Sequence, residues 1–459
     1  MKHRVFFRSH KRLVASLVVI ALLVALLPML NVKVQAAGAS PGNETQSLNA
    51  SITFVPGVHI NTGNNAIPIP PTDKFCRTNF NFPCYSPQEM QNAYGLTPLL
   101  KQGYDGKGQT IVIIVPFGSP TIQQDLHSFD KGYGLPDPPS FQIVTPLGTK
   151  PYQPTPQRVN WATETTLDVT WSHAMAPGAN IVLLTCPSNG FTKLLYLVEY
   201  AEERNLGSIF SQSWAGTENT FFNPYGSRLL QTFDQAYKQA AAQNITVFAA
   251  SGDTGVANPN NQGNNYPFPT VNFPASDPYV TTIGGTDLHS DTQGNYQSET
   301  AWNNKYGATG GGVSQHFKEP QWQQSLNSND QHILNGYRGL PDIAYNANPG
   351  DSILYYSSFG GQPVGWATIG GTSEGPPQWS GIIADADQYA GEPLGFLNPT
   401  LYQLGSNDQN NVYHDITSGN NSFDKITGYT CTAGWDPVTG WGSPKVTNLI
   451  MALTQMGKQ

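Results

Sequence analysis

Residues 364–377 read VGWATIGGTSEGPP. An apolar run ends in two glycines, and a Thr-Ser pair follows. Pro376 and Pro377 then open a stretch carrying Trp379, Ile382 and Ile383 at helical spacing. The pattern predicts a strand, a glycine turn and a helix, because proline in a first helical turn costs little where the N–H groups lack partners anyway. Ser373 then stands at a helix N-terminus, where backbone N–H groups stabilise a developing oxyanion. The same residues also describe a plain glycine turn capped by a hydroxyl. A base separates the two readings, and it has to come from elsewhere in the chain.

Two motifs compete over this stretch. Gly371-Thr372-Ser373-Glu374-Gly375 satisfies G-x-S-x-G, the nucleophile elbow of α/β-hydrolases. That fold needs an acid and then a histidine after the serine, yet the only later histidine is His414, and an HGGG motif is absent. G-T-S with Pro377 at the fourth position is instead a subtilase pattern. A subtilisin proper needs an aspartate at the end of its first strand and a His-Gly-Thr helix start. Here the first strand ends VPFGSP, and none of the nine histidines precedes a glycine. A histidine base is missing.

Working outward, apolar runs recur: TIVIIVPFG (110–118), NIVLLT (180–185), GSIFSQSW (207–214), ITVFAASGD (245–253) and YVTTIGGT (279–286). Amphipathic helical stretches near 161–176, 190–204 and 226–243 lie between them. Buried strand runs alternating with helices imply an α/β fold, a mostly parallel sheet with helices on both faces in a single large domain. Its site is expected at the carboxyl ends of the strands.

The helical stretch WATETTLDVTWSHAMA (161–176) places Glu164 and Asp168 four residues apart, on one face. On a surface helix such a pair is a solvated face; facing a sheet, it is a proton store. Two crowded carboxylates raise one pKa, so the pair holds a proton and passes it on. Below about pH 5 a histidine is protonated and useless as a base, whereas a glutamate near its pKa still works. A third carboxylate, Asp253, sits in the turn Ser251-Gly252-Asp253-Thr254-Gly255 after a strand. It reads either as a turn aspartate binding backbone N–H groups or as a protonated acid donating to an oxyanion.

Residues 1–36 carry Lys2, Arg4, Arg8, Lys11, Arg12 and Lys33, no acid, and an apolar run from Leu13 to Leu30. With Val34-Gln35-Ala36 as the cleavage region, this is the pattern of a secretory signal peptide, an uncleaved anchor being the rival reading. Removing those six of 23 basic residues leaves the 31 acids in excess by about 14. This excess argues against nucleic acid or an anionic membrane as partner and suits an acidic medium. Residues 37–85, rich in Asn, Pro, Thr and Gly, show no sustained period and read as an extended lead-in or short propeptide remnant; 86–457 form the domain. The four cysteines of an exported chain allow three pairings. Cys76–Cys84 closes a short local loop and is expected, which leaves Cys186–Cys431 by elimination.

The E-x-x-x-D helix (Glu164, Asp168), the S-G-D turn (Asp253) and the G-T-S-x-x-x-P segment (Ser373, Pro377) together resemble the sedolisins, the serine-carboxyl peptidases of subtilisin-like fold. SHAMAPGANI (172–181), FPASDPYVTTIGGT (273–286) and RGLPDIAYNANP (338–349) are similar to the family too, and the likeness runs from about Tyr85 to the C-terminus. The resemblance implies Ser373 as nucleophile, Glu164 as general base and acid, Asp168 as its partner and Asp253 as oxyanion donor. It implies Ser213 and Trp214 as substrate-backbone contacts, although the following Ala215 stands where glycine is usual. Two tail segments, His414-Asp415-Ile416-Thr417 and Thr432-Ala433-Gly434-Trp435-Asp436, are similar to the family's calcium loops. Asp415 and Asp436 would give carboxylate oxygens to one structural Ca2+, and Ile416, Thr432 and Gly434 would give carbonyls. His173, one turn beyond Asp168, reads as structural.

The expected protein is thus a secreted, monomeric peptidase acting on proteins or peptides in acid, with no nucleic acid or membrane partner after signal removal. Two alternatives stay open. Glu374, where the family often has small residues, and a stretch after the signal shorter than the usual prodomain fit a catalytically silent, sedolisin-like binding protein. An esterase on an α/β-hydrolase fold is the other.

Overall fold

The computed structural model describes residues 48–60 and 69–456. The expected signal peptide lies outside the described residues, which all fall in the compact unit Gly42–Gln459. The apolar runs form one eight-stranded sheet: β1 (Thr110–Pro116), β2 (Phe141–Val144), β3 (Asn180–Cys186), β4 (Ile209–Gln212), β5 (Thr246–Ala250), β6 (Thr281–Ser290), β7 (Tyr296–Ala301) and β8 (Ile343–Asn346). Across the sheet the order is β7-β6-β5-β4-β1-β3-β2, with β8 added on β6. Every pairing is parallel except β6 with β7.

Successive residues of β1, β3, β4 and β5 are buried whichever face they point to, as a sheet covered on both sides requires. The cover comes from α1 (Pro156–Met175), α2 (Phe191–Glu203), α3 (Pro224–Ala242) and α4 (Gly375–Ala390). Helices α1 and α4 pack on each other and on β1, while α2 and α3 pack on each other and reach β1, β3 and β5. Helix α1 starts five residues before the expected boundary. The Thr155 side chain accepts the Arg158 N–H and Pro156 opens the first turn, so the cap, not the apolar pattern, sets the start. From Trp161 to Met175 every residue of α1 is buried. The helix therefore runs through the core, and its carboxylates are not a solvated face.

The strand before Ser373 does not join the large sheet. Gly365–Gly370 belongs to a four-stranded sheet ordered Val55–Ile60, Gly365–Gly370, Ser352–Ser357 and Cys84–Tyr85. The G-x-S-x-G match is thus no elbow on a central parallel sheet, as an α/β-hydrolase requires. The stretch expected as an extended lead-in also holds the helix Asp73–Phe80 and a strand, Ser51–Ile52, that pairs antiparallel with Trp214–Thr217.

Cys76 and Cys84 form the expected disulfide. The pairing of Cys186 with Cys431 is corrected: both are free and buried. Cys186 closes β3 with its thiol on Ser188 O, whereas Cys431 sits in the tail beside Thr439 Oγ1. Elimination counts thiols but carries no distance. Among the described residues no helix is long and apolar enough to cross a membrane.

Candidate active site

A single-turn 3-10 helix, Thr372–Glu374, joins the small sheet to α4 and carries Ser373. Gly371 enters it at φ 107°, in the region that favours glycine. A Cβ there would lie 2.5 Å from Asp253 Oδ2, 2.6 Å from Phe54 Cα and 2.8 Å from Thr53 O. The glycine therefore lets three pieces of chain meet at the serine.

Asp253 grips the turn. Its Oδ1 accepts the Thr372 N–H and the Thr372 hydroxyl, each at 2.8 Å, and the Gly252 N–H donates back to Thr372 Oγ1 at 3.0 Å. Its Oδ2 is enclosed and has no hydrogen-bond partner among the described residues. Burial pushes the carboxyl up to about 7, against the pull of the two Thr372 donors. Asp253 is thus a turn aspartate whose second oxygen borders, with Thr53 O, the space above Gly371.

Glu164 and Asp168 reach the same place from the middle of α1, both fully buried. Burial, and then the Asp168 charge, hold Glu164 well above the usual carboxylate range. The Ser373 hydroxyl and the Thr53 amide lie near enough to pull it back, although neither meets hydrogen-bond geometry with its oxygens. Asp168 is raised by burial and relieved by the Ser213 hydroxyl, which donates to Oδ1 at 2.7 Å. Ser213 Oγ also lies 3.5 Å from Ser373 O, so the residue expected to hold substrate ties Asp168 to the Ser373 backbone. Glu374 points elsewhere: it is buried against Asn346, whose Nδ2 donates to Oε2 at 3.2 Å. Burial and then the Asp253 charge raise it.

Sequence reasoning missed Thr53. Its carbonyl accepts the Ser373 N–H at 2.8 Å, and its hydroxyl lies 2.7 Å from Ser373 Oγ. Just before it, Ser51 pairs with Ala215 and Ile52 with Trp214. A chain segment therefore lies along the strand expected to bind a substrate backbone. No period marks residues 48–60; only the Trp214 segment's assigned role pointed to a strand-shaped partner.

His173 is buried, with Nε2 2.7 Å from Pro136 O and 3.4 Å from Asp130 Oδ1, a structural setting. In the tail, Asp415 Oδ2 accepts the Gly434 N–H and Asp436 Oδ2 accepts the Thr432 N–H. Asp436 Oδ1 accepts from Val438 and Thr439, whereas Asp415 Oδ1 is buried without a hydrogen-bond partner among the described residues. Ile416 is buried next to Asp415. The two loops expected to meet do meet.

No family model matches the chain. Kumamolisin of Bacillus sp. (strain MN-32) is 34% identical over 383 residues, covering 82% of this chain and 64% of its own. Sedolisin of Pseudomonas sp. (strain 101) is 32% identical over 358 residues, covering 76% and 58%. The chain thus spans less than two thirds of these curated relatives. The solved structure of Pseudomonas sedolisin, a serine-carboxyl proteinase complexed with two molecules of pseudo-iodotyrostatin, matches with a TM-score of 0.71 at 30% identity. That match covers 82% of this chain and 99% of that one.

Proposed function

Because the chain belongs to the sedolisin family, we propose that it is a serine-carboxyl peptidase that hydrolyses peptide bonds in acid. The observation carrying this reading is the hydrogen bond from Ser373 N–H to Thr53 O at 2.8 Å. A peptide carbonyl rests on the nucleophile's own amide, where an oxyanion would form.

In the proposed reaction Ser373 Oγ attacks the carbonyl carbon and Glu164 takes its proton. Asp168 shares that proton, which Glu164 then gives to the leaving amine. Asp253, kept protonated by burial, donates from Oδ2 to the oxyanion. Ser213 and Trp214 hold the substrate backbone as an added strand. With Thr53 and Phe54 over the site, burial is the largest cause of the raised Glu164 pKa. Water entering the opened cleft lowers it, and Glu164 then serves as a base in acid.

The tail suits one structural calcium ion. Asp415 Oδ1, buried and without a hydrogen-bond partner among the described residues, offers a hard oxygen ligand, and Asp436 brings a second carboxylate to the same pair of loops. Asp415 and Asp436, with the carbonyls of Ile416, Thr432 and Gly434, would hold the ion, which would tie two loops together and stay out of the reaction. Secretion, protein or peptide substrates and a monomeric state complete the reading.

The deciding experiment is digestion of a protein substrate across a pH series, with Ser373→Ala as control. Activity is expected to peak in acid and to vanish in the variant. A peak above pH 7, or an active Ser373→Ala, rejects the mechanism.

A further inference from the structure

Asp287 and His289 stand two residues apart on β6, so their side chains leave the same face of the strand. Thr286, Leu288 and Ser290, which alternate with them, are buried. Asp351 reaches the exposed face from the loop that enters the strand Ser352–Ser357 of the small sheet. One ligand atom from each of the three residues lies within 4.8 Å of the other two. His289 Nδ1 is 3.2 Å from Asp351 Oδ2, and Asp287 Oδ1 is enclosed without a hydrogen-bond partner among the described residues.

We infer that Asp287, His289 and Asp351 bind one divalent ion of the zinc class, which pins the large sheet to the small one. The inference is independent of the peptidase reading. Two carboxyl groups in contact need a positive charge between them. Asp351 is pushed up to about 8, by burial and then by the Asp287 carboxyl at hydrogen-bonding range. Arg77 is the cation that relieves Asp351, but its guanidinium is engaged elsewhere. Its Nε donates to Asp73 Oδ2 at 2.6 Å and its Nη2 to Ser290 O at 3.1 Å. The Tyr85 hydroxyl, also close, donates to Leu288 O at 2.9 Å. A bound ion takes the place that a shared proton otherwise holds.

The donor set selects the ion. Calcium takes six to eight oxygens, whereas an imidazole with two carboxylates suits zinc, with water in the fourth position. Ligand atoms bound to a tetrahedral ion at ~2.0–2.2 Å stand roughly 3.3–3.5 Å apart, close to the 3.2 Å between His289 Nδ1 and Asp351 Oδ2. The His289 side chain is 49% exposed, which gives the ion an entry path and leaves room for that water. Hydrogen bonds already hold the frame. The Leu288 N–H donates to Asn346 Oδ1, Asn346 Nδ2 donates to Asp351 O, and the Asp351 N–H donates to Asn348 O. The cluster shares no residue with the Asp415 and Asp436 loops, so its ion is a second one.

The test uses the full chain, stripped with chelator, dialysed and titrated with Zn2+ at pH 7.5 by calorimetry. Co2+ is added to a second sample and its visible absorption is read. One Zn2+ per chain is expected, bound more tightly than Ca2+, and Co2+ should show the bands of a site with four or five ligands. His289→Ala and Asp287→Asn should each weaken Zn2+ binding at least roughly tenfold, since even an outer-shell partner is worth about 10- to 100-fold. Asp436→Ala should leave it unchanged. Circular dichroism of the ion-free variants reports folding, and should one variant not fold, the other decides. Absence of Zn2+ binding overturns the inference. Equal binding by wild type and the two cluster variants places the ion on other histidines and overturns it too. Loss of Zn2+ in Asp436→Ala, or its displacement by Ca2+ at equal concentration, does the same.

Discussion

Asp253 Oδ1 accepts two hydrogen bonds of 2.8 Å from Thr372, the residue directly before Ser373. One carboxyl group thus fixes the Ser373 turn through one oxygen and keeps the other without a hydrogen-bond partner among the described residues, where the proposed oxyanion would form.

This double duty predicts a graded response. Asp253→Ala loses both and should lower turnover roughly a hundred- to a thousand-fold, the usual cost of one oxyanion donor. Asp253→Asn keeps an acceptor for Thr372 and offers an N–H at any pH, so it should retain more activity. The carboxyl, raised by burial, donates only while protonated, so wild-type turnover should fall as pH rises. The fall should be shallower in Asp253→Asn. Kinetics on one peptide from pH 2 to 8 check this; equal losses in the two variants would make Asp253 a turn residue alone.

Glu164 should tolerate no such substitute. Glu164→Gln keeps the shape within α1 but neither accepts nor returns a proton, so it should be nearly inactive at every pH. Near-wild-type turnover at any pH would move the base elsewhere.

The buried carboxyls also set the pH of greatest stability. Burial pushes Asp130, Asp168, Asp253 and Asp387 to about 8, 8, 7 and 7. An unfolded aspartate titrates near 3.9, so between about pH 4 and 8 the native state binds more protons than the unfolded one. Stability is then greatest below about pH 4 and falls as pH rises toward 8. Melting temperature against pH at constant ionic strength should show this decline, and Asp130→Asn should flatten it. A maximum at pH 7 to 8 would contradict the assignment.

Calcium should stabilise the tail. A ligand that binds only the native state adds about 2.7 kcal/mol at ~100 times its Kd. Chelator should therefore lower the melting temperature, calcium should restore it, and Asp436→Ala should abolish the response. Identical melting with chelator and with calcium would leave two turns and no ion.

Helix α4 meets α1 at Gly381, where an added Cβ would lie 2.5 Å from Met175 Cβ and 3.0 Å from Ser172 O. Alanine in a helix gains about 1 kcal/mol over glycine, while overpacking typically costs ~1–3 kcal/mol. The clash should win. Gly381→Ala should lower the melting temperature and, by spreading the helices that carry Glu164 and lead from Ser373, reduce kcat more than it raises KM. A more stable variant with unchanged kcat would refute this.

The large sheet was legible because β1, β3, β4 and β5 are apolar runs buried on both faces. The carboxylates were legible because their spacing on α1 has only one geometric meaning. Other features had no local signal. The sheet that Gly365–Gly370 joins depends on strands from residues 55–60, 84–85 and 352–357, and nothing in one strand names its neighbours. Thr53 was hidden because its segment is held by backbone pairing, which any side chains permit. Cys186 and Cys431 were misjudged because pairing by elimination assumes that every thiol has a partner.

The small sheet has one more consequence. Val55–Ile60 is its outermost strand, with Pro56 on that flank, and Gly365–Gly370 lies just inside. Proline is a residue that sheet edges tolerate and that discourages further pairing. A chain shortened to begin after Ile60 would strip this guard and leave the strand leading to Ser373 as a bare edge, open to strand addition from other molecules. Shortened forms that keep Val55 onward should stay soluble, and those starting after Ile60 should aggregate.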